Sequence, residues 1–140
     1  MSAQDDQTIP PDAVLLRVLK HPDWIINKDG KTRPSSAAFF EARGEVSHFI
    51  DAPGMINELF RLFPGWPIAA VPASVVRGRG LGIERSPGDC PKDFRGDPAN
   101  HVIVGPPPNV GRPAYEKMAR PIAKLPDVNI IFPTEQEPQP

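Results

Sequence analysis

The sequence predicts an α+β fold, a small single domain with a mixed sheet, short helices and a C-terminal βαβ crossover. Short apolar segments alternate with short helical patterns along the chain. Of the 140 residues, 20 are proline, which breaks helix interiors and central strands and therefore excludes a coiled coil or a long helical bundle. Because no run of about 18 apolar residues occurs, we expect no membrane-spanning segment.

The two ends of the chain differ in composition from the middle. Residues 1–11 are polar and end in two prolines, and residues 133–140 contain no apolar anchor. Segments of this kind are usually extended or mobile. We therefore predict a flexible N-terminal tail over 1–11, a packed domain over 12–132 and a flexible C-terminal tail over 133–140.

The first quarter of the domain predicts two strands and a short helix. Val14–Leu19 fits a strand or one face of a short helix, and its six-residue length between prolines favours the strand. Trp24–Ile26 predicts a second strand, followed by a turn over Asn27–Gly30. Arg33–Ser36 then offers a serine cap for a helix of one or two turns that starts at Ala37.

The next segment contains the strongest strand and helix patterns. Val46–Ile50 alternates apolar and polar residues, which predicts a half-exposed strand. Asp51 can cap a helix over Ala52–Phe63, whose apolar residues recur at the three- and four-residue spacing of a buried face. Pro64 and Gly65 then end this helix.

The middle of the chain predicts shorter elements. Residues 67–71 fit a buried strand, 72–77 a short helical turn and 81–84 another strand. Residues 86–98 form a long loop in this prediction, and loops of that length are often functional or mobile.

The last third predicts a crossover unit. His101–Val104 is a continuous apolar strand, a helix follows from Pro113 to Pro121, and Val128–Phe132 is a second apolar strand. Strand, helix and strand within about 32 residues predict a right-handed parallel crossover.

Charge limits the classes of partner. The net charge is −1 and the pI about 6.3, which gives no global support for binding nucleic acid or an anionic membrane. Residues 77–126 nevertheless carry an excess of four positive charges, which could bind an anion or simply form a solvated surface. The single cysteine, Cys90, lies in a turn, and we interpret it as an incidental thiol. No signal peptide is visible, so we expect a cytoplasmic protein.

Several polar residues are candidates for a binding site. Arg17 interrupts an apolar strand and must point to solvent, pair with an acid or hold an anion, because burying an unpaired guanidinium is costly. His101, at the start of a strand, could anchor a ligand or act as a base. The ligand-binding candidates are Arg17, Arg33, Ser35, Ser36, His101 and Arg112.

Each candidate also has a structural interpretation. The residues around Arg33 can be a helix start, and His48 and His101 can be satisfied structural histidines. The loop before Arg112 contains three consecutive prolines, which removes the backbone N–H groups that a phosphate loop needs. The three histidines and one cysteine lack metal-ligand spacing, so we predict no metal and no cofactor.

Two resemblances follow from short blocks of sequence. An early strand with Arg17, the block Arg33–Phe39, Ser47 in a later strand and the block Asp97–Gly105 together resemble a group of small bacterial proteins of uncharacterised function. That likeness implies no mechanism.

The second likeness is to ADP-ribosyltransferase-like folds, which use an early arginine, a serine on a second strand and a later glutamate. The resemblance implies that Arg17, Ser35 or Ser36, and Glu84 would take these parts. The serines depart from that pattern because they are predicted at a helix start.

The sequence thus leaves two main functions open, beside a purely structural or assembly role. The first is a bacterial domain that binds a protein partner or a small anionic ligand without catalysis. The alternative is an enzyme acting on a nucleotide-like anionic substrate, with Arg17, Ser36 and His101 at one site. No complete catalytic constellation is visible in the sequence, so the catalytic residues are not assigned.

Overall fold

A computed structural model describes residues 2–133 of the chain. The strands are β1 (Val14–Val18), β2 (Ile25–Lys28), β3 (Lys31–Pro34), β4 (Val46–Ile50), β5 (Ile68–Pro72), β6 (Gly82–Arg85), β7 (His101–Gly105) and β8 (Asn129–Ile131). The α-helices are α1 (Met55–Leu62), α2 (Ala73–Gly78) and α3 (Arg112–Ala119). Short 3-10 helices occupy Pro22–Trp24, Ser36–Phe39, Pro87–Asp89, Pro98–Asn100 and Arg120–Lys124.

Six strands form one sheet in the order β6-β7-β4-β1-β5-β8, and β2 pairs with β3 as a separate hairpin. The α+β fold class is confirmed. The last strands joined through α3, β7 and β8, run in the same direction, as a crossover requires. Three other strands lie between β7 and β8, so these two do not pair. Every neighbouring pair in the sheet is antiparallel.

Both faces of the sheet are covered by helices. On one face, Met55 and Leu59 of α1 pack on Leu16 and Phe49 of the sheet. On the other face, α2, α3 and the 3-10 helices cover a larger apolar cluster that contains Leu15 and Val71. Successive residues of a strand point to opposite faces, so neighbours along β1 and β4 serve two different clusters.

Two predicted strands and one predicted helix can be compared directly with the structure. The predicted strand Val46–Ile50 coincides with β4, and the strand interpretation of residues 14–19 is confirmed by β1. The helix predicted from Ala52 begins instead at Met55. Gly54 has a φ of 81°, a left-handed conformation that cannot continue a helix backwards, and this moves the start of α1.

The segment after the Asn27–Gly30 turn differs from the prediction. Asp29 and Gly30 both have positive φ, as a tight hairpin turn requires, and the chain returns as β3 beside β2. The predicted α-helix from Ala37 is the 3-10 helix Ser36–Phe39, and the side chain of Ser35 forms no cap bond to it. Pairing with β2 places Arg33 and Pro34, which the sequence assigned to a helix start, in a strand.

The N-terminal segment is packed against the sheet rather than extending as a tail. Ala3 and Ile9 are buried, and the backbone N–H of Asp6 donates to the carbonyl oxygen of Ile83 at 2.8 Å. The added Cβ of an alanine at Gly82 would lie 2.6 Å from the carbonyl oxygen of Ala3. The segment thereby covers β6, an edge strand whose backbone would otherwise be open.

Ion pairs explain why the polar composition of residues 1–11 misled the prediction. Asp5 accepts from Arg77 at 3.0 Å, and Asp6 accepts from Arg85 at 3.2 Å. Two cations of the basic region 77–126 are therefore occupied by the acidic N-terminus.

The helix predicted to end at Pro121 is α3, which ends at Ala119. The chain continues directly into the 3-10 helix Arg120–Lys124, which contains Pro121. Most of the predicted C-terminal tail, residues 134–140, lies outside the described residues.

Candidate functional site

A cleft opens on the α1 face of the sheet where β1, β4 and β7 meet. Its volume is about 370 Å³. Its apolar wall is formed by Val18, Phe49, Phe63, Pro91 and Ile103. Its charged and polar lining residues are Arg17, Lys20, Arg43, Glu45, Ser47, Asp89 and His101. Two of the six ligand-binding candidates, Arg17 and His101, therefore share one cavity.

The cleft exists because β1 and β4 part after a short contact. They pair only at Leu15↔Ile50 and Leu16↔Phe49, whereas β1 pairs with β5 along its whole length. Past Leu16, the guanidinium of Arg17 takes the place of the strand pairing, and its Nη1 donates to the carbonyl oxygen of Ser47 at 3.1 Å. The arginine thus holds the sheet together at the point where the two strands separate.

Arg17 is 2% exposed and is well compensated. Its Nε donates to the carbonyl oxygen of Ala38 at 2.9 Å, its Nη2 lies 3.3 Å from a carboxylate oxygen of Glu41, and its guanidinium lies 4.2 Å from the ring centroid of Trp24. Burial lowers the pKa of Arg17 to about 10, partly offset by Glu41, so the side chain stays charged at neutral pH. Of the alternatives the sequence left open, pairing with an acid is the one observed.

His101 is held from both sides of its ring. Its Nε2 lies 2.8 Å from Oγ of Ser47, and its Nδ1 lies 2.7 Å from the carbonyl oxygen of Ser86. A carbonyl oxygen can only accept, so Nδ1 carries the proton, and the lone pair of Nε2 accepts from the Ser47 hydroxyl. The centroid of the His101 ring lies 5.0 Å from that of the Phe49 ring in an edge-to-face contact, and His101 is 2% exposed.

Local structure explains how His101 reaches this position. The side chain of Asp97 caps the 3-10 helix Pro98–Asn100 by accepting from the N–H of Ala99, and β7 begins at the next residue. The backbone N–H of Ser86 donates to the carbonyl oxygen of His101 at 2.8 Å. The two residues are therefore bound both through the backbone and through the imidazole.

Cations outnumber acids among the residues that line the cleft, although Arg17 is already paired with Glu41. Burial and the nearby charge of Arg17 lower the pKa of Lys20, and the Nζ of Lys20 lies 5.1 Å from the ring centroid of Phe63. Arg43 is exposed and lines the same cavity. The carboxylates of the lining are Glu45 and Asp89, of which Asp89 accepts from the hydroxyl of Ser86. Three cations thus line the cleft against two acids.

The other predicted ligand-binding residues lie away from the cleft. Oγ of Ser35 donates to the carbonyl oxygen of Asp23 at 2.7 Å, and Arg33 donates to the neighbouring carbonyl oxygen of Pro34 at 3.2 Å. Oγ of Ser36 accepts from Nη1 of Arg120 at 3.2 Å. Arg112 lies 5.7 Å from the ring centroid of Phe40. These four residues stabilise the hairpin, the 3-10 helix and the start of α3.

Glu84, the later glutamate of the ADP-ribosyltransferase resemblance, does not line the cleft either. Its carboxylate accepts from the backbone N–H of Gln4.

Sequence reasoning missed Ser47, Lys20 and Arg43 as site residues. The alternation of β4 does place Ser47 on the face opposite His48, but only the strand order shows that β7 lies beside it and brings His101 within reach. Lys20 and Arg43 lie just outside strands, where a lone cation usually marks solvent. Pairing between distant strands is the signal that a single sequence does not carry.

Comparison with known protein families, with curated proteins and with solved structures found no match to this chain. The two resemblances drawn from short blocks therefore stay predictions. Within residues 2–133, no group of three or more His, Cys, Asp or Glu side chains is placed to hold a metal ion. None of the helices in that range is long and apolar enough to cross a membrane.

Proposed function

We propose that the protein is a bacterial, cytoplasmic binding domain that holds a small anionic ligand in the cleft between β1, β4 and β7. The observation that carries the proposal is the set of three cations, Arg17, Lys20 and Arg43, that lines one cavity together with the Ser47–His101 pair. A volume of about 370 Å³ is that of a small-molecule site. A protein partner would need a broad surface instead, so the cleft favours the small ligand.

Electrostatics supports an anion in particular. Burial lowers the pKa of Lys20 and the charge of Arg17 lowers it further, whereas Glu41 raises it, so an anion beside Lys20 would stabilise its charged form. An anion bound in the cleft would accept hydrogen bonds from Lys20 and Arg43, because Nε, Nη1 and Nη2 of Arg17 already donate within the protein. The Ser47 hydroxyl and the imidazole of His101 add polar groups that can orient a ligand.

A ligand-stabilisation screen tests this proposal. The probes are inorganic phosphate, a set of nucleotides that includes NAD, and small dicarboxylates. A probe at 100 times its dissociation constant should add about 2.7 kcal/mol to the free energy of unfolding. The double variant Lys20→Gln/Arg43→Gln should lose this gain, because it removes the two cations that do not hold the sheet together.

The matched control is Lys28→Gln, which removes an exposed cation from β2, outside the cleft. It should keep the full gain. If no anion stabilises the wild-type protein, or if the double variant is stabilised as much as the control, the cleft is not an anion site. A pull-down for a protein partner would then be the next step.

An enzyme acting on a nucleotide-like or other anionic substrate is the second candidate. The observation in its favour is the 2.8 Å contact between Oγ of Ser47 and Nε2 of His101 inside the same cleft. Ser36, the serine that the sequence suggested for this role, is bonded to Arg120 and does not line the cavity. An enzyme at this site would therefore use Ser47.

A further inference from the structure

The contacts of Ser47 and His101 go beyond what anion binding needs. We propose that Ser47 is a nucleophile, that His101 is its general base, and that the cleft hydrolyses a small carboxylic ester that carries a negative charge. The inference rests on the proposed anion site, to which it adds a reaction and a substrate class. It is carried by the sequence of contacts from the Ser47 hydroxyl to the imidazole and on to the carbonyl oxygen of Ser86.

The direction of these hydrogen bonds is the one that nucleophilic catalysis requires. The Ser86 carbonyl oxygen can only accept, so it fixes the proton on Nδ1 of His101 and leaves Nε2 as a lone pair. That lone pair lies 2.8 Å from Oγ of Ser47 and can take its proton. An activated serine needs a base within hydrogen-bond reach and a third group that orients the base. The carbonyl of Ser86 orients His101 here.

The surroundings of the ring also suit this role. His101 is 2% exposed and lies edge-to-face against Phe49, which in turn contacts Phe94 at 5.2 Å between ring centroids. A buried base that packs against an aromatic ring keeps one orientation and is shielded from bulk water. Ser47, in contrast, is only half-buried and lines the open cavity, so a substrate can reach its hydroxyl.

The reaction has two steps. In the first, Oγ of Ser47 attacks the ester carbonyl carbon while its proton passes to Nε2 of His101, and the tetrahedral adduct then breaks the bond to the alcohol oxygen, which takes that proton and leaves. In the second, water attacks the acyl-Ser47 ester and gives a proton to Nε2. Collapse releases the carboxylic acid and returns the proton to Oγ of Ser47. The sum is ester plus water to acid plus alcohol.

The cations that line the cleft select the substrate in this scheme. Lys20 and Arg43 line the same cavity as Ser47, so they can hold a carboxylate or phosphate group of the substrate beside the reacting ester. Positive charge in a partly buried cleft also stabilises the oxyanion of the tetrahedral adduct. An ester with a charged end should therefore react faster than its neutral analogue.

Covalent labelling tests the nucleophile directly. The wild-type protein is treated with a fluorophosphonate, digested with trypsin and analysed by mass spectrometry. Cleavage after Arg43 and Arg61 gives the peptide 44–61, in which Ser47 is the single hydroxyl-bearing or thiol residue. We expect the phosphonyl group on that peptide. His101→Gln should slow labelling by about 100-fold or more, because general base catalysis contributes factors of that size.

Controls separate chemistry from folding and from binding. Ser36→Ala, which removes a hydroxyl outside the cleft, should label as the wild type does, and Ser47→Ala should not label at all. The turnover substrate is mono-(4-nitrophenyl) adipate, compared with the neutral methyl 4-nitrophenyl adipate. The wild type should prefer the charged ester, and Lys20→Gln/Arg43→Gln should lose the preference.

The outcomes distinguish this inference from the proposed function. If anions stabilise the folded protein but Ser47 is not labelled and neither ester is hydrolysed, the cleft binds anions without catalysis and the inference is wrong. If Ser47 is labelled and both esters react equally, the nucleophile is real and the anionic substrate class is overturned. Labelling of Ser47 with preference for the charged ester supports both.

Discussion

Two histidines on neighbouring strands have opposite environments. His48 and His101 lie on β4 and β7, which pair with each other, and their side chains point to opposite faces of the sheet. His48 is 1% exposed in the apolar face, where its Nδ1 lies 3.1 Å from the carbonyl oxygen of Val46. Among the described residues its Nε2 has no hydrogen-bond partner. His101 is equally buried, but both of its ring nitrogens are bonded.

This difference separates a histidine fixed by packing from the one that the proposed function uses. Burial and the charge of Arg17 lower the pKa of His48 to about 3, so it stays neutral and packs 6.3 Å from the ring of Phe39. His101 has a hydroxyl on one side and a carbonyl on the other, beside an open cleft. Burial alone does not distinguish the two, whereas the partners of the ring nitrogens and the presence of a cavity do.

The largest effect is expected at Arg17, which lowers the pKa of His48 and lines the cleft of His101. Arg17→Met should cost about 3 kcal/mol of unfolding free energy, because it leaves the carbonyl oxygens of Ala38 and Ser47 unpaired and removes the partner of Glu41. Urea unfolding measures this change. Arg33→Met, which removes one bond to a neighbouring carbonyl, is the control and should cost far less. Equal costs would contradict the role of Arg17 in the sheet.

The next effect concerns the pH dependence of stability. The pKa of His48 is near 6.5 in the unfolded chain and about 3 in the folded protein, so the unfolded state binds the extra proton between these values. The contribution is complete above pH 6.5 and is lost as the pH falls toward 3. Relative to His48→Phe, the wild type should lose about 2 kcal/mol between pH 7 and pH 5. A difference between the two proteins that stays constant over this range would show that His48 is not held neutral by burial.

A smaller effect is expected when the partner of His101 is removed. Ser47→Ala leaves Nε2 of His101 without its hydroxyl, which imitates the unpaired Nε2 of His48. The cleft is open, so water can replace the hydroxyl, and we expect a loss of about 1 kcal/mol or less in chemical unfolding. A loss of several kcal/mol would mean that the pair holds the fold together and is not kept for a ligand.

The elements with strong local signals could be predicted from the sequence. The alternation of Val46–Ile50 predicted β4 with its observed bounds, and the apolar spacing before Pro64 predicted the helix α1. The N-terminal packing could not be predicted, because Asp5 and Asp6 read as solvated acids until Arg77 and Arg85 are placed beside them. Contacts between residues more than seventy positions apart leave no local pattern.

The site was predictable only in part for the same reason. Arg17 stood out because a cation inside an apolar strand needs a partner, and His101 stood out at a strand end. Ser47 became a site residue only through the strand order, which puts β4 between β1 and β7. Ser35 and Ser36 had the better local signal for a binding site, yet each is occupied by a structural contact.

The central claim is that the cleft beside His101 binds an anion. Long-range ¹H–¹⁵N NMR of the imidazole rings tests it most directly. The spectra are recorded while inorganic phosphate, or the anion selected by the stabilisation screen, is titrated in. We predict that His101 carries its proton on Nδ1 and that its Nε2 signal moves saturably with the anion. The signals of His48, which lies on the other face, should stay in place. A proton on Nε2 of His101, or an anion that binds without moving its signals, would contradict the account of the cleft.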